Sequence, residues 1–122
     1  MRFVTAESCR SQLEGLTQLL ISAFPGSTIY QHTDLCRVPH DVLNNKVDAV
    51  FLETEIDKTN DLNFVKRLRR QKSDIPVFII SQTEELREEA VEAGANDYFV
   101  QPVTEQQLRE AIRSVKNKEN AS

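Results

Sequence analysis

The stretch Val47–Glu55, VDAVFLETE, limits what this chain can fold into more than any other. Val47, Ala49, Val50, Phe51 and Leu52 make a short, near-continuous apolar run, β-branched and aromatic in character, that stops at Glu53-Thr54-Glu55. A run this short reads as a strand covered on both faces, the situation of a central strand in a parallel sheet. In open α/β sheets, ligands and chemistry gather at the carboxyl ends of the strands. Glu53 therefore occupies the most site-like position in the sequence.

The flanking segments supply the layers such a strand needs. Arg2–Ala6 reads as a first strand ending at Glu7-Ser8, and Leu13, Leu16, Leu20 and Phe24 recur at helical steps until Pro25-Gly26 stops them. Ser27–His32 predicts a second strand, placed at an edge by its polarity. Asp34–Asn45 carries the weakest pattern, with a short helix expected from about Pro39. After the central strand come a loop over Thr54–Asn60, a helix over Asp61–Lys72 and a second fully apolar strand, Ile75–Ser81. Ser81-Gln82-Thr83-Glu84 has capping-box spacing ahead of a helix ending at Gly94. Asn96–Val100 is the last strand, and Thr104-Glu105-Gln106-Gln107 is a second capping box leading a helix through Val115. Strict alternation of strand and helix implies a parallel sheet with helices on both faces.

Composition excludes several classes of function. The net charge of -4 argues against a general binder of nucleic acid or anionic membrane. No apolar run is long enough for a transmembrane span, and the N-terminus lacks the apolar core of a signal peptide. Cys9 and Cys36 form no CxxC pair and are expected as reduced thiols in a cytoplasmic protein. His32 and His40 are isolated from other ligand-type residues, so no metal site is expected of them. The basic run Lys66–Lys72 is read as a solvated helix end that complements the macrodipole, in preference to a nucleic-acid patch.

Three strand ends, Glu7-Ser8, Glu53 and Ser81, converge on one sheet edge, and Gln101-Pro102 follows the last strand there. Together with the segments MRFVTAESCRSQLEGLTQLL, DAVFLETEI and EAGANDYFVQPV, this resembles the receiver domain of two-component response regulators, nearest in pattern to the LytTR type. The resemblance covers essentially the whole chain and implies a flavodoxin-like (βα)5 three-layer sandwich with strand order 2-1-3-4-5. It implies a receiver-like domain over residues 1–115, with 116–122 a polar tail or the start of a linker. Receivers accept a phosphoryl group on an aspartate after the third strand, beside a divalent cation held by an acidic pair, and a lysine and a Thr/Ser grip the phosphate. Here Glu53 stands for the acceptor, Glu7 and Ser8 for the acidic pair, and Gln101, with Pro102 after it, for the lysine. Ser81 and Tyr98 match the two switch positions.

A glutamate misplaces the acceptor oxygen, and an amide cannot replace a cation. The resemblance therefore implies a pseudo-receiver, not an enzyme, that signals by protein contact, most simply in transcription. No cofactor is expected, and magnesium only if Glu53 is still an active acceptor; a small-ligand module in the same cleft is the third possibility. At Glu53, a solvated carboxylate at a loop mouth is preferred to a standing imitation of phosphate, because Gln101 leaves no cation opposite it. Ser81 is expected to act mainly as a helix N-cap. The partner, a second copy or an attached output domain, is expected at a face formed by Glu84, Glu85, Glu88, Glu92 and Tyr98, with no direct contact to nucleic acid or membrane.

Overall fold

Ala49, Val50, Phe51 and Leu52 are fully buried in the strand Ala49–Thr54, which pairs on both sides and is covered on both faces. The structure is a computed structural model that describes residues 1–6, 10–32, 47–54, 58–71 and 74–121. Its strands are β1 (Arg2–Ala6), β2 (Thr28–His32), β3 (Ala49–Thr54), β4 (Val77–Ser81) and β5 (Asp97–Val100). The helices among the described residues are α1 (Arg10–Ala23), α2 (Lys58–Arg70), α3 (Arg87–Ala93) and α4 (Glu105–Ala121). The strands form one parallel sheet in the order β2-β1-β3-β4-β5, the flavodoxin-like arrangement expected. The expected helix near Pro39 falls outside the described residues.

Strand alternation sorts the core into two halves. Val50, Leu52, Val77, Ile79 and Tyr98 pack with Leu62, Val65 and Leu68 of α2 and Ala90 of α3. Phe3, Phe51, Phe78 and Phe99 pack with Leu16 and Leu20 of α1 and Leu108 and Ile112 of α4. On this second face the rings form a row across four adjacent strands. Phe3 meets Phe51 edge-on at 5.7 Å, Phe51 stacks on Phe78 at 5.1 Å, and Phe78 lies 6.1 Å from Phe99. Each such pair contributes about 0.5–1.5 kcal/mol beyond its buried area. The row is a stiff floor beneath α1 and α4. Those helices are also joined directly, by Ser22 Oγ donating to Glu105 and by Arg109 Nε donating to Ala23 O at 3.5 Å, while Arg109 pairs with Glu105 of its own helix at 2.8 Å.

Element ends depart from the sequence reading where side chains found other partners. The helix expected from Glu84 begins at Arg87, because Glu84 turns forward to the Arg87 guanidinium at 2.6 and 3.0 Å. Ser81 accordingly does not cap a helix; its Oγ accepts the Thr83 N–H at 3.3 Å in a turn. The second capping box forms as expected, with Gln107 N–H on Thr104 Oγ1 at 3.1 Å and Thr104 N–H on Gln107 Oε1 at 2.9 Å. The preceding helix starts at Lys58, inside the stretch read as loop, and α4 continues to Ala121 through the expected polar tail.

Arg69 lies in the basic run read as solvated, yet its guanidinium closes the edge of the sheet where strands begin. It donates to Gly94 O at 3.0 Å, Ile75 O at 2.8 Å and Asn96 Oδ1 at 2.9 Å. The same Asn96 oxygen accepts the Val77 N–H at 2.9 Å, fixing the start of β4 against that of β5. Burial pulls the Arg69 pKa down, partly offset by Asp74. Gly94, at φ 115°, leaves room for this side chain: a Cβ there would lie 2.6 Å from Arg69 Cγ. Gly94→Ala is therefore expected to destabilise the domain by roughly 2–4 kcal/mol, from backbone strain together with displacement of the Arg69 clamp. Urea unfolding measures it, and an effect below about 0.5 kcal/mol contradicts this account.

Candidate functional site

Parallel pairing brings the carboxyl ends of β3, β4 and β5 to one edge. Glu53 is registered with Ile80, and Thr54 with Ser81, which in turn lies opposite Val100. Gln101 extends the ladder by one bond, its N–H reaching Ser81 O at 2.8 Å. From there its side-chain amide crosses in front of β4, donating to Glu53 Oε2 at 3.2 Å. Adjacent strands are about 4.8 Å apart, so a residue on β3 and one following β5 meet only if both side chains are long. Glu and Gln satisfy that. The Gln101–Pro102 peptide is cis.

Glu53 was expected as a solvated carboxylate. It is instead 8% exposed, withdrawn between the sheet and α1 and held by the Gln101 amide. The physical reason is strand parity: Glu53 falls on the face of Phe51, which α1 and α4 cover. In front of it opens a cleft of about 540 Å³. Its walls are Leu16 and Leu19 of α1, Ile80, and the Pro102-Val103 segment, with Glu53 and Gln101 among its lining.

The remaining expected residues fall into three groups. Glu7 and Ser8 lie outside the described residues, as do Cys9, Cys36 and His40. Ser81 is at the predicted edge, 3% exposed and engaged by the Thr83 N–H. Tyr98 does not belong to the surface assigned to it: it is 1% exposed, with its hydroxyl donating to Thr83 O at 2.5 Å. It points inward because Arg87 closes over it, the guanidinium 5.1 Å from the ring centroid and donating to Tyr98 O at 3.0 Å. The Glu84–Arg87 pair was missed in the sequence, although their three-residue spacing is the available signal.

Among the described residues no cluster of three or more His, Cys, Asp or Glu is placed to hold a metal ion. Of the described residues lining the cleft, Glu53 is the carboxylate. Magnesium and similar hard cations take several oxygen ligands, of which Glu53 could supply one carboxylate here. No helix among the described residues is long and apolar enough to cross a membrane.

Comparison with known proteins gives a consistent family. The model of the response regulator receiver domain matches residues 5–113. A chemotaxis protein CheY homolog of Campylobacter jejuni is 32% identical over 96 residues, covering 69% of this chain and 73% of that protein. The response regulator MprA of Mycobacterium sp. (strain KMS) is 24% identical over 117 residues, 94% of this chain. This chain spans only about half (50%) of the length of that regulator. Among solved structures, a receiver domain from Clostridium thermocellum superposes with a TM-score of 0.83 at 19% identity, covering 98% of this chain and 97% of that one. The signal receiver domain of a DNA-binding response regulator from Colwellia psychrerythraea does so at 0.81 and 19%, covering 96% and 98%.

Two outcomes follow from this geometry. Tyr98→Phe removes the bond to Thr83 and is expected to lower stability by about 1 kcal/mol in urea unfolding, with unchanged strand content by circular dichroism. The hydrogen-bonded Arg87 holds the Glu84 carboxyl below the usual carboxylate range. Its contribution is therefore complete above the ordinary glutamate pKa and is lost as pH falls through the lowered one. A side-chain NMR titration is expected to show the Glu84 midpoint rising in Arg87→Gln; an unmoved midpoint refutes the pairing.

Proposed function

The chain belongs to the response regulator receiver domain family, and we propose that within it this domain is a pseudo-receiver, signalling by protein contact without accepting a phosphoryl group. The observation that carries the reading is the Glu53–Gln101 hydrogen bond, 3.2 Å long, at a buried carboxylate. Phosphoryl transfer needs an in-line acceptor, a metal and cationic groups to neutralise charge on the equatorial oxygens. Here the acceptor position holds a carboxylate one carbon longer than aspartate, occupied by a neutral amide where the family has a lysine. Glu7 and Ser8 keep one carboxylate of the usual acidic pair, and Ser81 and Tyr98 retain the switch positions without a phosphate to read. On this reading the domain is not an enzyme and carries no resident cofactor.

The proposed contact face is the acidic surface of Glu84, Glu85, Glu88 and Glu92, with Val91 exposed among them at 56%. An exposed apolar side chain on a helix that also carries exposed carboxylates suits a protein partner with a basic rim. We place the module in the cytoplasm, in transcriptional control, through an attached or separate output unit; residues 116–122 would begin the connection. The relatives named as response regulators support this assignment of role.

The competing reading is an active phosphoacceptor on Glu53. Incubation with acetyl phosphate and magnesium, followed by intact-mass measurement, is expected to leave the protein without a phosphate adduct. A stoichiometric adduct lost in Glu53→Gln overturns the proposal.

A further inference from the structure

Two neighbouring helices carry opposite charge on their outer sides. Over the described exposed positions of α2 the ionisable groups are Lys66, Arg67 and Arg70, and no acidic residue stands between Leu62 and Gln71. On α3 the exposed ionisable groups are Glu88, Glu89 and Glu92. Both helices cover the same face of the sheet, and Arg69 of α2 bonds Gly94 at the end of α3, so that flank of α2 borders α3. At 3.6 residues per turn, Lys66 and Arg70 lie within about 100° of Arg69, turned to solvent. Arg87, by contrast, leans from α3 onto Tyr98 of β5. Glu89 stands about 200° round the helix from Arg87, on the flank toward α2. A basic strip and an acidic strip therefore run side by side. Glu84 and Glu105 each take an arginine of their own segment, but none of these six side chains forms an ion pair with a described residue.

We infer that this face recognises a second copy of the chain, with α2 of each protomer lying against α3 of the other. A two-fold axis along the seam between the helices exchanges left for right. It brings the basic strip of one protomer onto the acidic strip of its partner, and does so twice. The face is self-complementary because the strips are adjacent and opposite in sign; a face of one sign would repel its own copy. Exposed ion pairs are individually weak, so the association depends on several acting together. The dimer is accordingly weak and salt-sensitive, of the transient class. The inference rests on the acidic contact surface proposed above and supplies its basic counterpart from this chain's own α2. It is independent of whether Glu53 accepts a phosphoryl group.

Sedimentation equilibrium of the whole chain at about 20 mM and about 500 mM salt tests it. At low salt the average mass is expected to rise with concentration toward that of a dimer and no further; at high salt it is expected to fall back to that of a monomer. Lys66→Glu with Arg70→Glu is expected to abolish the rise, and so is Glu89→Lys with Glu92→Lys. An equal mixture of the two doubly substituted chains is expected to restore the dimer, because one then has an acidic excess on both helices and the other a basic excess. All four positions are exposed, and the melting temperature of each variant checks that it is folded. A native chain that stays monomeric at low salt overturns the self-recognition, while leaving the acidic surface open to a different partner. A dimer that survives high salt, a dimer in either variant alone, masses beyond a dimer, or a mixture that stays monomeric overturns it as well. Should one variant fail to fold, the salt dependence of the native chain and the other variant decide it.

Discussion

A parallel strand needs a neighbour on each side for its backbone and, when apolar throughout, a layer over each face for its side chains. β3 and β4 impose both requirements at once, with Val50, Phe51 and Leu52 and Val77, Phe78 and Ile79 withdrawn from solvent on both faces. From this follow the helices on either side and the crossover connections that return each strand in the same direction. Because all strands point one way, their carboxyl ends share one edge. The place where function is assembled is thus a by-product of how the core is covered.

At that edge chain geometry decides which residues meet. Glu53 and Gln101 are two strands apart, and two long side chains close the gap. An aspartate would stand further back, leaving a space suited to a transferred group and its counterions. The longer pair instead meets across the gap, the Gln101 amide donating to the Glu53 carboxylate.

The parallel sheet and the depth of β3 and β4 were legible because apolar runs and helical stripes repeat over many residues, whereas the strand order followed from the resemblance to receiver domains. Short-range competition was not. Glu84 has capping-box spacing from Ser81 and pairing spacing to Arg87, and it took the guanidinium, which moved the start of α3. Arg69 is one of five cations in the run Lys66–Lys72 that composition treats alike, yet among the described contacts it is the one drawn to Gly94 O, Ile75 O and Asn96 Oδ1. Tyr98 could not be aimed from sequence, since its direction depends on Arg87 arriving from the preceding helix. The place of Glu53 near the end of β3 follows from the apolar run before it, but its burial depends on parity relative to α1, which a single strand's sequence does not reveal.

The Arg69 junction lies at the sheet edge opposite Glu53 and joins α2 to the entries of β4 and β5 through carbonyl and carboxamide oxygens. Such a rivet divides the domain mechanically. One rim is anchored by a guanidinium fork onto three oxygens, and the other carries the side-chain bond between Gln101 and Glu53. Sequence drift can therefore rewrite the chemistry at the second rim while the barrel of the machine stays bolted at the first.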